Sequence, residues 1–321
     1  MSVPSVALNT GNQQPMLGYG TWQASNPDEL KKALRVALDS GYRLIDTAHV
    51  YGNEAVIGEV LEEYYKAGKL KREDIFITTK LPFYAMEPVG VEKLIPEQLK
   101  SLRTDYIDLY LVHCPCPFKF KDPSNPSLKD TDMIALDVPH IDTWRAIEKF
   151  YKSGALKALG LSNFNGKQIQ AVYDQAEVKP ANVQVECYIY WPQFELHELC
   201  KKLGMTFTAY GPIGSPGRKS GFPADWPDAF PLEDPVVREL SKKYKKTPAQ
   251  ILLRHLTQRG ITVIPKSVTP SRVVENFTIF DFALTADEVK KLDSIEKRVR
   301  LFEFPFWKAS KFFPFEDVKF N

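Results

Sequence analysis

The stretch "RLIDTAHVYGNE", residues 43–54, decides between two ways of building an α/β protein. Its first half is a short apolar run ending around Asp46, the pattern of a strand covered by helices on both faces. Its second half is the turn that follows. A doubly wound nucleotide-binding sheet needs G-x-G-x-x-G at its first strand–helix turn, where backbone must approach a pyrophosphate. Here the turn holds Gly52 alone, so the strand belongs to another arrangement.

Seven more β-rich runs follow: "IFITTK" (75–80), "DLYLVH" (108–113), "ALGLSN" (158–163), "NVQVEC" (182–187), "TFTAYG" (206–211), "TVIPKS" (262–267) and "TIFDF" (278–282). Between them lie amphipathic helical patterns. In "DELKKALRVALDSG", Leu30, Ala33, Leu34, Ala37 and Leu38 share one helical face, and Gly41 stands where a C-cap belongs. "HIDTWRAIEKFYKSG" stops at Gly154, and "TPAQILLRHLTQRG" starts on Thr247 and Pro248 and ends at Gly260. Strand and helix alternating in this way predict a (β/α)8 TIM barrel, one domain over residues 1–321. The segment "VALNTGNQQPMLGYGTW" before the first helix reads as a β-hairpin that could plug the barrel bottom. Residues 114–140 and 211–234 form loops too long for plain connections, and both leave the C-terminal ends of strands, where such barrels carry their sites.

Composition narrows the function. The chain has 321 residues, 44% of them hydrophobic and 26% charged, with a formal charge of +2. That balance gives no support for binding nucleic acid or a membrane surface. "MSVPSVALNTGNQQP" lacks the basic start and apolar run of a signal peptide, and no segment has the apolar length of a membrane span. Four cysteines are too few for a disulfide framework. A cytoplasmic protein is expected.

Four ionisable side chains fall at or just beyond strand ends: Asp46, Tyr51, Lys80 and His113. Adjacent barrel strands would direct them into one pocket. An ammonium can stabilise a phenolate and lower the phenol's pKa, a carboxylate can hold that ammonium, and a neutral imidazole can orient a carbonyl oxygen. The stretch "LVHCPCP" (111–117) invites a different reading, as a metal or redox site. No C-x-x-C or H-x-x-x-H partner exists elsewhere, and a Cys114–Cys116 disulfide would close a strained loop. No metal is expected.

The motifs around these residues resemble the aldo-keto reductase family, in the branch of aldose, aldehyde and xylose reductases. The carriers are "GYRLIDTAHVYGNE", "ITTKL", "DLYLVH", "GALKALGLSNFN", "NVQVECYIYW", "AYGPIGSPG" and "IPKSVTPSRVVEN", within a likeness running from "PMLGYGTW" to "FPFEDV". The resemblance implies NADPH-dependent reduction of aldehydes, possible ketones and open-chain sugars to alcohols. Tyr51 would donate the proton, Asp46 and Lys80 would tune it, and His113 would orient the substrate. Ser162, Asn163 and Gln184 would hold the carboxamide of NADPH (or NADP+), and Tyr210 would stack on the nicotinamide. Lys266, Ser267 and Arg272 would take the adenosine 2'-phosphate, Glu275 and Asn276 the adenine. Thr21, Trp22, Gly211, Ile213, Ser215, Val268 and Thr269 complete the expected cofactor contacts. Local chemistry agrees at one point: Thr269 and Pro270 look like the start of a short helix, and a helix N-terminus flanked by cations suits an anion.

Three departures bear on the substrate. Cys114 stands where aldose reductase has a tryptophan after the histidine, Pro82 and Phe83 replace a further aromatic after "ITTKL", and Gly211 replaces a common serine. The tail "RVRLFEFPFWKASKFFPFEDVKF" is expected to fold over the barrel mouth, since eight exposed aromatics would invite aggregation. With Trp22, Val50, Phe83, Cys114 and Trp226, the tail residues Val299 and Phe302 are expected to line an apolar pocket. The expected partner is a small carbonyl compound, and the expected state a monomer. The alternative, from another class, is a non-catalytic NADPH-binding or structural protein of the same fold; the complete set of four ionisable residues argues against it.

Overall fold

The computed structural model describes residues 3–122, 124, 132–217 and 227–315. The chain opens with an antiparallel hairpin, β1 (Ser5–Ala7) and β2 (Gln13–Pro15). Among the described residues, eight parallel strands then form the central sheet. They are β3 (Tyr19–Gly20), β4 (Leu44–Asp46), β5 (Phe76–Leu81), β6 (Leu109–Val112), and, after a loop hairpin of β7 (Phe118–Phe120) with β8 (Met133–Ala135), β9 (Leu159–Ser162), β10 (Asn182–Glu186), β11 (Thr206–Tyr210) and β12 (Thr262–Val263). A parallel bridge between Leu17 and Val263 joins the two sheet edges, reinforced by Gly18 N–H to Val263 O at 2.9 Å and Gly20 N–H to Pro265 O at 3.1 Å. The sheet is a closed (β/α)8 barrel.

Two strand assignments differ from the sequence reading. The first barrel strand is Tyr19–Gly20, which the sequence places in the opening hairpin. Two residues are too few to show a hydrophobic period. What marks this strand is glycine: a Cβ on Gly20 would lie 2.5 Å from Ile264 O, and one on Gly18 2.1 Å from Leu44 Cδ2. The run at 278–282 is not a strand. Ile279 is fully buried in the core, while Phe280 and Phe282 pack against Arg254 and Tyr244, so its alternation reflects helix packing rather than strand pairing.

Among the described residues ten α-helices follow the strands: α1 (Pro27–Ser40), α2 (Glu54–Lys66), α3 (Pro88–Leu102), α4 (His140–Lys152), α5 (Gly166–Gln175), α6 (Phe194–Lys202), α7 (Pro235–Tyr244), α8 (Pro248–Gln258), α9 (Pro270–Phe277) and α10 (Ala286–Asp293). In α1 the five residues of the expected apolar face are the buried ones, Asn26 caps the start, and Gly41 at φ 109° ends it in the left-handed conformation. Thr247 caps α8 in a reciprocal box with Gln250. α9 packs on α1 and closes the helical ring, while α7 and α10 lie against α8. No helix among the described residues is long and apolar enough to cross a membrane.

The hairpin seals the barrel at the N-terminal ends of its strands. Gln14 enters the interior, donating to Thr208 Oγ1 at 3.1 Å while its Oε1 accepts from Thr206 at 3.0 Å and Asn182 at 3.3 Å. At the rim, Asn9 donates to Pro180 O at 2.8 Å. With this end filled, the C-terminal ends of the strands are where a ligand can enter.

Candidate active site

Strand ends deliver the four ionisable side chains. Asp46 closes β4 and is 3% exposed, and Lys80, inside β5, is fully buried. Tyr51 lies in a 3-10 turn, His49–Tyr51, that Gly52 ends at φ 67°. His113 follows β6, with its N–H bonded to Leu81 O at 3.0 Å.

These residues converge on Lys80. Its Nζ donates to Asp46 Oδ1 at 2.6 Å, to Thr47 O at 2.8 Å and to the Tyr51 hydroxyl at 3.4 Å. The Tyr51 and His113 rings meet edge to face with centroids 5.8 Å apart. Gln184 Nε2 donates to the second oxygen of Asp46 at 2.7 Å, so both carboxylate oxygens are held.

Burial dominates the electrostatics. It lowers Lys80 from the ordinary lysine range, against the Asp46 charge and hydrogen bond that raise it. Burial and the Lys80 charge hold His113 well below the ordinary histidine value, so the imidazole is neutral at pH 7 and offers one N–H. Tyr51 moves opposite to the sequence expectation: burial first, then the Asp46 charge, push its phenol well above the ordinary range. Burial is the larger cause, and at 2.6 Å from Asp46, Lys80 presents a compensated pair to the phenol rather than a bare cation. The resting phenol therefore keeps its proton.

The residues expected around a nicotinamide also gather here. Ser162 and Asn163 are buried at the end of β9, and Gln184 is buried inside β10. Asn163, at φ 64°, donates to His113 O at 2.9 Å and accepts from the Tyr210 hydroxyl at 2.7 Å. Thr21 is buried, with Oγ1 donating to Asp46 O at 2.9 Å. After β11, Gly211 takes φ 59° and Ser215 φ 45°, turning the chain above Tyr210, and Ile213 packs there, partly buried.

A second group lies after β12. Lys266 is half-buried and donates to Gln23 O at 3.2 Å, while Tyr19 donates to Ser267 O at 2.8 Å. α9 begins at Pro270 and carries Arg272 exposed on its first turn. Thr269 occupies the N-cap position, but its hydroxyl caps nothing; its own N–H instead donates to Ser267 Oγ at 3.1 Å. Val268 is half-buried beside it. Glu275 accepts from Thr247 at 2.8 Å, and Asn276 is buried. Lys266 and Arg272 thus flank the start of α9, an arrangement whose chemistry suits an anion such as a phosphate.

The expected pocket residues fall into two apolar clusters. Trp22, Val299 and Phe302 pack with Tyr210, the Phe302 ring lying 5.5 Å from Trp22 and 5.4 Å from Tyr210. Phe83 and Cys114 pack with Cys116, Phe118, Trp307 and Phe315. Phe304 touches both clusters and stacks on Trp307 at 3.9 Å. Val50 stands at the surface, 37% exposed, and Trp226 lies outside the described residues. The seven described tail aromatics are all at least partly buried, so the tail lies on the barrel as expected.

The trio His113, Cys114 and Cys116 separates. His113 faces Tyr51, whereas both cysteines are free, buried thiols, with Cys114 Sγ on Cys116 O and Cys116 Sγ on Phe312 O. Burial pushes the Cys114 thiol up to about 12, which keeps it a thiol rather than a thiolate.

One anchor escaped the sequence reading. Glu186, fully buried, accepts from Leu301 N–H at 2.7 Å and Phe302 N–H at 3.0 Å, with Arg300 4.0 Å away. An acid inside a strand otherwise buried on both faces was the available signal.

Comparison with known proteins agrees with this geometry. A family model described as "Aldo/keto reductase family" matches residues 16–297. "Aldo-keto reductase family 1 member A1" of Gallus gallus is 45% identical over 296 residues, 92% of this chain and 89% of that protein. The Homo sapiens protein of the same name is 43% identical over 303 residues, 94% of this chain and 91% of its own. The solved structure of the aldose reductase from Schistosoma japonicum superposes with a TM-score of 0.89 at 41% identity, covering 98% of this chain and 99% of that one. On fold, site arrangement and relatives together, the chain belongs to the aldo/keto reductase family.

Proposed function

We propose that this protein reduces aldehydes, and with them some ketones or open-chain sugars, to alcohols with NADPH, and that Tyr51 supplies the proton. The observation that carries the reading is the meeting of Lys80 with Asp46 at 2.6 Å and Tyr51 at 3.4 Å, with the His113 ring beside the phenol. A purely binding or structural role has no need of four ionisable groups converging under a barrel mouth.

When bound, the nicotinamide nucleotide supplies a hydride to the carbonyl carbon. Everything else falls to side chains of this chain. The neutral His113 donates one N–H to the carbonyl oxygen and fixes it beside Tyr51. As negative charge builds on that oxygen, Tyr51 gives up its proton. An alkoxide is a stronger base than a phenolate, so the transfer is favourable even from a phenol whose pKa is raised. Lys80 meets the charge left on Tyr51, and Asp46 keeps Lys80 in place. The tail aromatics Phe302, Phe304 and Trp307 keep water away.

In this reading Ser162, Asn163 and Gln184 hold the carboxamide, Tyr210 stacks on the ring, and Lys266, Ser267 and Arg272 bind the 2'-phosphate. Glu275 and Asn276 take the adenine. The protein acts as one domain and a monomer in the cytoplasm, without nucleic-acid or membrane partners. The test is an assay of NADPH and NADH consumption in parallel, over a panel of sugar, lipid-derived, steroid and prostanoid carbonyls. Turnover with NADPH is expected. No consumption of either nucleotide across the panel would favour a binding role instead.

A further inference from the structure

Behind Lys80, on the outer face of β5, sits a second buried polar cluster. Successive strand residues point to opposite faces, so Lys80 enters the barrel while Thr79 turns toward the helices. Thr79 Oγ1 accepts from Gln98 Nε2 at 3.1 Å and donates to Glu54 Oε1 at 2.5 Å. Gln98 Nε2 also donates to Glu54 Oε1 at 2.8 Å and to the Lys80 carbonyl at 3.3 Å. The Tyr110 hydroxyl donates to Gln98 Oε1 at 2.6 Å, which fixes that amide with its NH2 toward Glu54. The second oxygen of Glu54 faces His49 Nδ1 at 3.4 Å.

This arrangement is costly to bury. Glu54 is 5% exposed, and Thr79 and Gln98 are fully buried. Filling the gap between barrel and helices alone would be served by apolar side chains at lower cost. Glu54 lies in the first turn of α2, where the helix dipole stabilises an anion, and its Oε1 accepts from both Thr79 and Gln98. The cluster is also attached to the proposed chemistry, since β5 runs straight from Thr79 into Lys80 and Glu54 follows Tyr51 by three residues.

We infer that Glu54 is a positioning residue of the carbonyl-reducing site: through Thr79 and Gln98 it fixes the β5 backbone at Lys80 from outside the barrel, and its charge backs the Lys80 ammonium. The inference rests on the function proposed above. The groups facing Glu54 are His49 from the turn before α2, Thr79 and Lys80 from β5, Gln98 from α3, Tyr110 from β6 and Tyr84 from the turn after β5; Asp46 faces Lys80 from inside. Among the forces on Lys80, burial disfavours its charge most, Asp46 opposes that, and Glu54 adds a smaller push in the same direction as Asp46. Glu54 is thus the second anion holding the lysine charged.

The test compares wild type with Glu54→Gln and Glu54→Asp. Glutamine keeps the size and an acceptor for Thr79 and Gln98 and removes the charge; aspartate keeps the charge. Reduction requires Lys80 charged and Tyr51 protonated, so the rate falls at high pH as either proton is lost. Removing a nearby negative charge eases both losses. The alkaline limb of the kcat profile for NADPH-dependent aldehyde reduction should move down by roughly one pH unit in Glu54→Gln. In Glu54→Asp it should stay within about a quarter of a unit, even if kcat is lower. A limb that does not move in Glu54→Gln, or that falls equally in Glu54→Asp, overturns the inference. If the glutamine variant fails to fold, a fall of about one unit in Glu54→Asp, which keeps the charge, still overturns the inference. An independent readout is the pH titration of the Lys80 side-chain ε-carbon by NMR, assigned by its loss in Lys80→Arg. If wild type reduces no carbonyl while this titration still drops in Glu54→Gln, the proposed function falls and the electrostatic role of Glu54 stands.

Discussion

Gln184 donates its side-chain amide to Asp46 across the barrel interior, Nε2 to Oδ2 at 2.7 Å, linking β10 to β4. The bond completes the shell of a carboxylate whose other oxygen holds Lys80. Gln184→Leu leaves that buried oxygen without its donor, at a cost of about 1–3 kcal/mol. Thermal unfolding of the cofactor-free protein should show the loss, and kcat should fall as the Asp46–Lys80 pair loosens. An unchanged melting temperature would show that Gln184 serves only a bound ligand.

Buried histidines make stability depend on pH. Burial, with help from Lys201 and Arg259, pushes His197 down to about 4, and burial also lowers His140 and His255. Between that value and the unfolded-state histidine pKa of roughly 6.5, the unfolded chain binds protons that the folded chain does not. Stability from these groups is therefore complete above roughly pH 6.5 and is lost as the pH falls toward 4. The melting temperature should decline over that window, and His197→Gln should flatten the decline. A variant whose slope matches wild type would remove His197 from the account.

The cations after β12 set nucleotide preference in the proposed reading. Arg272 is exposed on the first turn of α9, and Lys266 is half-buried beside it. Arg272→Ala should weaken NADPH binding roughly tenfold, the worth of one charge-assisted phosphate contact, and leave NADH binding nearly unchanged. Titration of both nucleotides by quenching of protein fluorescence measures the ratio. Equal losses for the two would place the arginine elsewhere on the cofactor.

Sequence legibility followed the range of the interactions. Local rules identified α1 down to its five core residues and its Gly41 cap, because helix periodicity and capping are encoded within a few positions. Alternation alone gave the barrel. It misread the run at 278–282, where Ile279 is buried under helices, and it missed Tyr19–Gly20, whose only mark is room for Ile264 O. The meeting of Asp46, Tyr51, Lys80 and His113 was readable, since strand ends of a barrel share one face. The direction of the Tyr51 shift was not, because burial and the Asp46 charge raise the phenol, and how deeply a side chain is buried is stated by no motif. Nor were Gln184 on Asp46 or Glu186 on the tail: each pairs residues more than a hundred positions apart.

The central claim is that Tyr51 delivers the proton, and Tyr51→Phe tests it most directly. The variant keeps the ring that meets His113 edge to face and removes only the hydroxyl near Lys80. NADPH oxidation with a reactive aldehyde should drop roughly a hundredfold to ten-thousandfold, the usual worth of a positioned general acid, while NADPH binding stays at the wild-type level. Near-full turnover in the variant would contradict the account.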